Sequence, residues 1–338
     1  MFPLALVVGV VFVVNVLFST FWPVGPPPPY VPVIYDAPPD VPFGPNEVIA
    51  YSTILLSRDY VATTMVTCWS FRNSIESPWN STVERLVVFV SNNVDVDAKL
   101  SSALLCCYDE IVRVPLFDAI QHPAVPRWKY QFTKLYFWNA TQFSRLMYFD
   151  SDIIVLRAEK LRKIMLKNHE LAMTQWIGNG GFSQDWFIGA FIVLRPNATL
   201  FEETAAHAKQ YLKTHEETND QIYISDRFRG KIVTLPHDVM SDMMLERDDP
   251  ELWTRFVGNS ALVHFTAGKP WHYSPGGYYD EWFDIENEVH MKCPYDDRAG
   301  RKNVREYVEA LGLVLERFWR HDMHHFLWLW THQLFGRR

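Results

Sequence analysis

Asp150 and Asp152 stand one residue apart at the end of the apolar run Leu146-Met-Tyr-Phe149, and a second apolar run, Ile153 to Leu156, follows at once. In an extended chain, residues two apart project to the same side. Two hard carboxylate oxygens between buried segments suit a divalent cation that keeps positions open for phosphate oxygens. By residue type, Asp150-Ser151-Asp152 also reads as a surface turn, so its surroundings must decide. Three further segments carry reactive groups. Gln131-Phe-Thr-Lys-Leu-Tyr-Phe-Trp138 has a helical pattern and presents Lys134, a residue type that in isolation is commonly just solvated. Thr218-Asn-Asp-Gln-Ile-Tyr223 reads as a helix start carrying Asp220 and Gln221. Leu262-Val-His-Phe-Thr-Ala-Gly-Lys-Pro-Trp271 places His264 at a strand end and Lys269 beyond a glycine turn. Alone, His264 would read as a satisfied core histidine.

The elements that must position these groups follow from periodicity. Val48 to Leu56 is rich in strand formers, and a helical pattern runs from Tyr60 to Ser74. Arg85 to Val90 carries a continuous apolar run from Leu86 on, the mark of a strand buried on both faces. Val96 to Cys107 is helical and Glu110 to Val114 is a third strand. This β-α-β-α-β order predicts a doubly wound sheet with ligands at the carboxyl ends of its strands. A helix over Trp128 to Asn139 leads into the strand ending at Asp150, so the acids fall on that rim. No Gly-x-Gly-x-x-Gly or Walker loop is present, which argues against a dinucleotide or P-loop enzyme.

Taken in order, these four blocks resemble family 8 glycosyltransferases, the group containing glycogenin and plant glucuronosyltransferases. That pattern has a Thr-Lys-Leu-x-x-Trp helix, an Asp-x-Asp, an Asp-Gln segment, and a His-Phe/Tyr segment running into Gly-Lys-Pro-Trp. The resemblance spans roughly Val48 to Trp271. It implies an α/β nucleotide-diphospho-sugar transferase fold of the A type, a single mixed sheet flanked by helices. It also implies a retaining hexosyl- or glucuronosyl-transferase that moves sugar from a UDP-sugar to a glycan or protein acceptor. Residue by residue, the resemblance makes Asp150, Asp152 and His264 ligands of Mn²⁺, with Ser151 between the acids in the donor site. Imidazole with carboxylates suits Mn²⁺ better than Ca²⁺, and a bridging ion stabilises the departing diphosphate as a Lewis acid. Lys269 would add a fixed cation near the β-phosphate, and Lys134 would reach the phosphates or the sugar. Asp220, with Gln221, would lie beside the transferred sugar, orienting it or stabilising positive charge at its anomeric carbon. Thr53 to Tyr60 resembles the uridine-binding segment, so that Ile54, Ser57 and Tyr60 line a base pocket; strand plus cap is the other reading.

One segment departs from the pattern. The family carries Phe-Asn-Ser/Ala-Gly before an apolar strand, whereas this chain has Trp186-Phe-Ile-Gly-Ala190. Ile188 stands where the sugar-contacting amide would be. The alternative function is therefore an impaired homologue that binds a nucleotide-sugar or glycan without transferring it. Asn179, Gln184 or Asp185 from the adjoining loop are candidate replacements for the amide. Glu217 is a second carboxylate near Asp220, or simply a cap. A manganese-dependent nucleotidyltransferase is a third option, but its Gly-rich basic loop is missing.

The chain of 338 residues, 48% hydrophobic, fits one large domain with appendages. Its net charge of −7, without a basic run, argues against a nucleic-acid partner. Cys68, Cys106, Cys107 and Cys293 lack metal-ligand spacing, and the adjacent pair in an apolar helical run predicts buried thiols rather than disulfides. Phe2 to Trp22 holds no charged residue, a length that matches a membrane crossing of roughly 20 residues. Residues 1–22 are thus expected to be a transmembrane signal anchor, with a cleaved signal peptide as the rival. Residues 23–45 carry ten prolines and read as a semi-rigid stem, ahead of a transferase domain over 46–300. Residues 301–338 read as an aromatic amphipathic helix; His321, His324 and His325 have metal-compatible spacing, but packing or a membrane interface is the plainer role. Sequons at Asn80, Asn139 and Asn197 agree with a lumenal domain. The expected setting is a single-pass protein of the Golgi or secretory pathway.

Overall fold

The computed structural model describes residues 39–44, 46–117, 130–178, 181–215, 218–266, 269 and 277–295. The anchor 1–22, the stem apart from 39–44, Glu217, Asn179, Trp271 and the tail 301–338 lie outside the described residues, as do the side chains of Gln184 and Asp185. Among the described residues no helix is long and apolar enough to cross a membrane.

In chain order the elements begin with strand β1 (Ile49–Leu55), helix α1 (Val61–Asn73), β2 (Glu84–Ser91), α2 (Ala98–Leu105) and β3 (Glu110–Val114). A 3-10 helix over Gln131–Asn139 precedes β4 (Arg145–Phe149), β5 (Ile153–Val155) and α3 (Ala158–Met165). The long strands β6 (Leu171–Gly178) and β7 (Gly181–Leu194) lead to α4 (Ala198–Tyr211) and α5 (Asp220–Arg227). Then come β8 (Val233–Leu235), β9 (Met240–Asp242), α6 (Met244–Asp248), α7 (Pro250–Val257), β10 (Leu262–His264) and α8 (Tyr278–Lys292).

Seven strands form one mixed sheet in the order β3-β2-β1-β4-β7-β6-β8. Strands β3, β2, β1 and β4 are parallel, and β7 runs against both of its neighbours. The first β-α-β-α-β units follow the expected doubly wound order, with boundaries within a residue or two of those read from the apolar runs. The period of two sorts side chains between two apolar layers. Ile49, Tyr51 and Leu55 enter the layer shared with α1, α2 and α3, whereas Ala50 and Ile54 enter the layer shared with the 3-10 helix, α4 and α5. Because both faces are covered, these strands read as unbroken hydrophobic runs.

Three corrections follow. A second, three-stranded sheet, β5-β10-β9, accompanies the first, so the single-sheet expectation fails. The chain leaves the large sheet after Phe149 and joins the small one at Ile153. The helix expected over Trp128–Asn139 is a 3-10 helix from Gln131 onward. Finally, the cysteines are paired: Cys68 with Cys107, and Cys106 with Cys293. Helix α2 stops at Leu105 and Cys106 is its C-cap, so the adjacent thiols diverge. One bridge reaches α1; the other reaches the end of α8.

Candidate active site

Asp150, Ser151 and Asp152 form the bend between β4 and β5, but Ser151 and Asp152 are buried rather than on the surface as a surface turn would be. The Asp150 N–H donates to the Ala190 carbonyl of β7 at 2.9 Å, and the Thr67 hydroxyl of α1 lies 2.6 Å from the Ser151 carbonyl and 2.8 Å from that of Ile153. This bend is therefore anchored from two sides. Antiparallel pairing of β10 with β5 sets His264 opposite Ile153. The His264 Nε2 consequently lies 3.4 Å from Asp152 Oδ1 and 3.8 Å from Asp150 Oδ2. One ligand atom from each of Asp150, Asp152 and His264 falls within 4.8 Å of the other two.

The opposite edge of the imidazole is also held. Parallel pairing of β10 with β9 puts Asp242 beside His264, whose Nδ1 is 2.7 Å from the Thr266 hydroxyl and 3.7 Å from Asp242 Oδ2. Thr266 donates in turn to the Asp242 carboxylate. Such outer partners fix the ring and leave the far nitrogen facing the acids. Burial pushes the His264 pKa down, but Asp152 and Asp242 outweigh it and raise it to about 9. Burial would raise the Asp152 pKa, yet Lys269 and then His264 hold it well below the usual carboxylate range. Lys269 contacts Asp152 directly and donates to the Phe265 carbonyl at 3.0 Å.

A second group lies on the other side of Asp150. The buried Lys134 ammonium sits 2.8 Å from Asp220 Oδ2, 3.0 Å from Asp150 Oδ1 and 3.1 Å from the Gly189 carbonyl. Burial opposes its charge, but Asp150 and Asp220 hold the pKa above the ordinary lysine value. For Asp220 burial is the larger influence and raises the pKa, with Lys134 opposing it. The Tyr148 hydroxyl donates to Asp150. Asp220 opens α5, which Asn219 caps by accepting from the Ile222 N–H at 2.9 Å.

Strand β7 reaches this group through a bulge. Met173 pairs with Ile192 and Gln175 with Phe187, so two steps on β6 face five on β7. The extra length carries Ile188-Gly-Ala190. Ile188 is buried in the apolar layer, while the Gly189 N–H donates to Gln221 Oε1 at 3.3 Å. A Cβ on residue 189 would stand 3.0 Å from Asp220 Oδ2 and 3.3 Å from the Gln221 Cβ. Here backbone amide and carbonyl meet the polar group, and a Cβ would fit only if Asp220 or Gln221 gave way by a few tenths of an ångström.

The uridine candidates are placed as follows. Ile54 packs into the layer under the 3-10 helix, and Tyr60 packs partly buried against the opposite layer. Ser57 accepts from the Asp59 N–H as the cap of a short 3-10 turn. Sequence reasoning missed Thr67, Tyr148, Asp242 and Thr266, which carry no spacing signal. Gly189 did have one, a glycine inside an apolar strand.

The donor set fits a divalent cation. Asp150, Asp152 and Asp220 meet the ammonium groups of Lys134 and Lys269, and Asp242 meets His264. These four carboxylates and two ammonium groups leave two negative charges once the imidazole gives up its proton, as a metal ligand must. Two carboxylates and an imidazole nitrogen are hard-to-borderline ligands of the sort Mn²⁺ accepts.

Together the parallel half-sheet, the acids at its carboxyl rim and the small sheet delivering His264 define the A-type glycosyltransferase fold. Solved structures share it. The galactosyltransferase LgtC, in complex with donor and acceptor sugar analogs, matches at 13% identity and TM-score 0.55, covering 71% of this chain and 95% of that one. The bifunctional glycosyltransferase WbbM matches at 15% identity and TM-score 0.53, covering 77% and 52%. No family model matches the chain. In sequence it is similar to Glycogenin-1 of Caenorhabditis elegans, 24% identical over 255 residues. The match takes in 70% of this chain and 54% of that protein, so the chain spans about half the length of the curated relative it matches. Both kinds of likeness bear out the resemblance to glycogenin-like transferases read from the four motifs.

Proposed function

We propose that this chain is a metal-dependent, retaining glycosyltransferase that uses a UDP-sugar donor and a glycan or protein acceptor. The observation that carries this reading is the meeting of Asp150 and Asp152, from the bend that joins the two sheets, with His264, from β10 of the small sheet, next to the buried Lys134–Asp220 pair. Asp150, Asp152 and His264 would hold Mn²⁺, which when bound supplies Lewis-acid stabilisation to the diphosphate leaving group. Asp242 and Thr266 keep Nε2 aimed at that position, and Lys269, tethered at Asp152, adds positive charge on the phosphate side. Lys134 opposes the effect of burial on Asp220 beside the sugar position, where a carboxylate orients a hydroxyl or stabilises positive charge at the anomeric carbon. Ile54, Ser57 and Tyr60 are the proposed contacts to the uridine base.

Paired cysteines persist in oxidising compartments, and the three sequon asparagines are exposed. Both support a secretory-lumen setting with residues 1–22 as anchor and 23–45 as stem. The test incubates the purified chain with a panel of UDP-sugars, with Mn²⁺ or with EDTA, and follows UDP release and product anomers. Mn²⁺-dependent release with retained configuration is expected. Nucleotide binding without turnover of any donor would instead identify the non-transferring homologue that Ile188 motivates.

A further inference from the structure

Strand β5 is the edge of the small sheet, whose order is β5-β10-β9, so only one of its sides has a strand partner. Backbone groups of alternate residues in a strand point to the same edge. Toward β10 the Asp152 carbonyl accepts from the Phe265 N–H at 3.1 Å, and the Leu156 N–H donates to the Ala261 carbonyl at 2.8 Å. Ser151, Ile153 and Val155 direct theirs the other way, toward α1. A helix cannot complete a strand edge with its own backbone, because its N–H groups are committed to carbonyls one turn back. Side chains of α1 complete it instead. The Thr67 hydroxyl lies 2.6 Å from the Ser151 carbonyl oxygen and 2.8 Å from that of Ile153, and the Val155 N–H donates to the Ser70 hydroxyl at 3.0 Å.

Thr67 differs from its neighbours on this helix. The hydroxyls of Thr63, Ser70 and Ser74 each donate to the carbonyl three residues earlier, the common local bond of such residues. The fully buried Thr67 hydroxyl reaches only to the bend, and the carbonyls it meets belong to the residues on either side of Asp152. The peptide plane before Asp152 is thus held by Thr67 and the one after it by the Phe265 N–H. Because peptide units are planar, holding both sets the backbone angles of Asp152. Its carboxylate then projects toward His264, with Oδ1 3.4 Å from Nε2. Ser70 grips β5 farther along, at Val155, beyond the two acids.

We propose that Thr67 is a positioning residue of the metal site: by holding the carbonyls on both sides of Asp152, its hydroxyl sets where that carboxylate stands relative to Asp150 and His264. This rests on the metal-dependent reading above. Valine keeps the shape of threonine but removes the donor, whereas serine keeps the donor. The test measures Mn²⁺ affinity by calorimetry in the presence of UDP for the native full chain, Thr67→Val, Thr67→Ala, Thr67→Ser and Ser70→Ala, with urea unfolding midpoints alongside. Thr67→Val and Thr67→Ala are each expected to weaken Mn²⁺ binding about tenfold or more, and Thr67→Ser to bind nearly as the native chain does. Ser70→Ala is expected to lower the unfolding midpoint while leaving Mn²⁺ affinity near the native value, which separates positioning from general loosening of the strand. Native affinity in whichever of Thr67→Val and Thr67→Ala is folded, or an equal loss in Ser70→Ala, overturns the positioning role and leaves the transferase reading intact. Failure of the native chain to bind Mn²⁺ with UDP removes the metal reading and the role of Thr67 together. Mn²⁺ binding that depends on Thr67, without UDP release from any donor, refutes the transferase reading while the positioning role stands.

Discussion

Replacing Lys134 with methionine keeps its length and removes its charge, leaving Asp220 and Asp150 facing each other across the vacated site. At 2.8 Å and an effective dielectric near 20, each lysine–carboxylate contact is worth on the order of 6 kcal/mol before desolvation. Burying the ammonium costs several kcal/mol of that gain. Asp150 is about a quarter exposed, so its contact is screened further and the Asp220 contact dominates. Removing one partner of a buried pair then costs about 3 kcal/mol at pH 8, the lower end of the range for such changes. The loss is pH-dependent with a defined sign. Burial already raises the Asp220 pKa and Lys134 opposes it, so the variant's carboxyl is raised further. Between the unfolded value of about 4 and that raised value, the folded state keeps a proton that the unfolded chain releases. Stability therefore falls as pH rises through the raised value, and the variant's deficit shrinks from pH 8 to pH 5. Urea unfolding of the native chain, Lys134→Met and Lys134→Met/Asp220→Asn at both pH values reads this directly. The double variant should recover most of the loss, because a neutral amide needs no counter-charge. A deficit under about 1 kcal/mol at pH 8, or no recovery with Asp220→Asn, would refute the reasoning.

Three other outcomes are expected. Gly189→Ala places a Cβ 3.0 Å from Asp220 Oδ2 and should lower kcat about 10- to 100-fold at a stability cost under about 2 kcal/mol; unaltered kcat would show that Asp220 yields freely. Asp242→Asn or Thr266→Val should weaken Mn²⁺ affinity in the presence of UDP by about tenfold or more, measured by calorimetry; equal affinity would mean that Nδ1 needs no orienting partner. Cys106→Ser with Cys293→Ser should cost about 2–4 kcal/mol in unfolding free energy, and added reductant should leave the variant less affected than the native chain.

How much was legible in the sequence depended on how local the cause was. Arg85 to Val90 read as a buried strand because each residue from Leu86 onward enters one of two covered layers. Asp150 and Asp152 were legible because two apolar runs frame them, and His264 because its sequel matched a motif. Asp242 and Thr266 were not, since the pairing of β9 with β10 joins stretches whose spacing says nothing of contact. The disulfides were hidden by the end of α2. A helical continuation through Cys107 would have kept both thiols on one element, whereas the break at Cys106 sends them to partners 39 and 187 residues away. Ile188 read as the loss of a polar contact. The bulge shows that the backbone of Gly189 makes the polar contacts there, while the Ile188 side chain serves the core.

The proposed ligand set is a consequence of strand register as much as of motif. His264 faces Asp152 because Leu262, Val263 and His264 pair with Val155, Ile154 and Ile153. The same strand places Asp242 at the other edge of the ring by pairing Leu262 with Met240. A slip of one residue in β10 would turn His264 to the opposite face and bring Val263 or Phe265 into its place. Burial guards against that slip: Val263 and Phe265 fill a separate apolar cluster with Ile154, Trp253 and Trp282, and exchanging them for an imidazole would leave its polar nitrogens in that cluster. The hydrophobic alternation of a three-residue strand thus fixes the face on which the imidazole meets the carboxylates. A volume-losing substitution at Phe265 should accordingly weaken metal binding as well as stability, although its ring contributes no ligand atom.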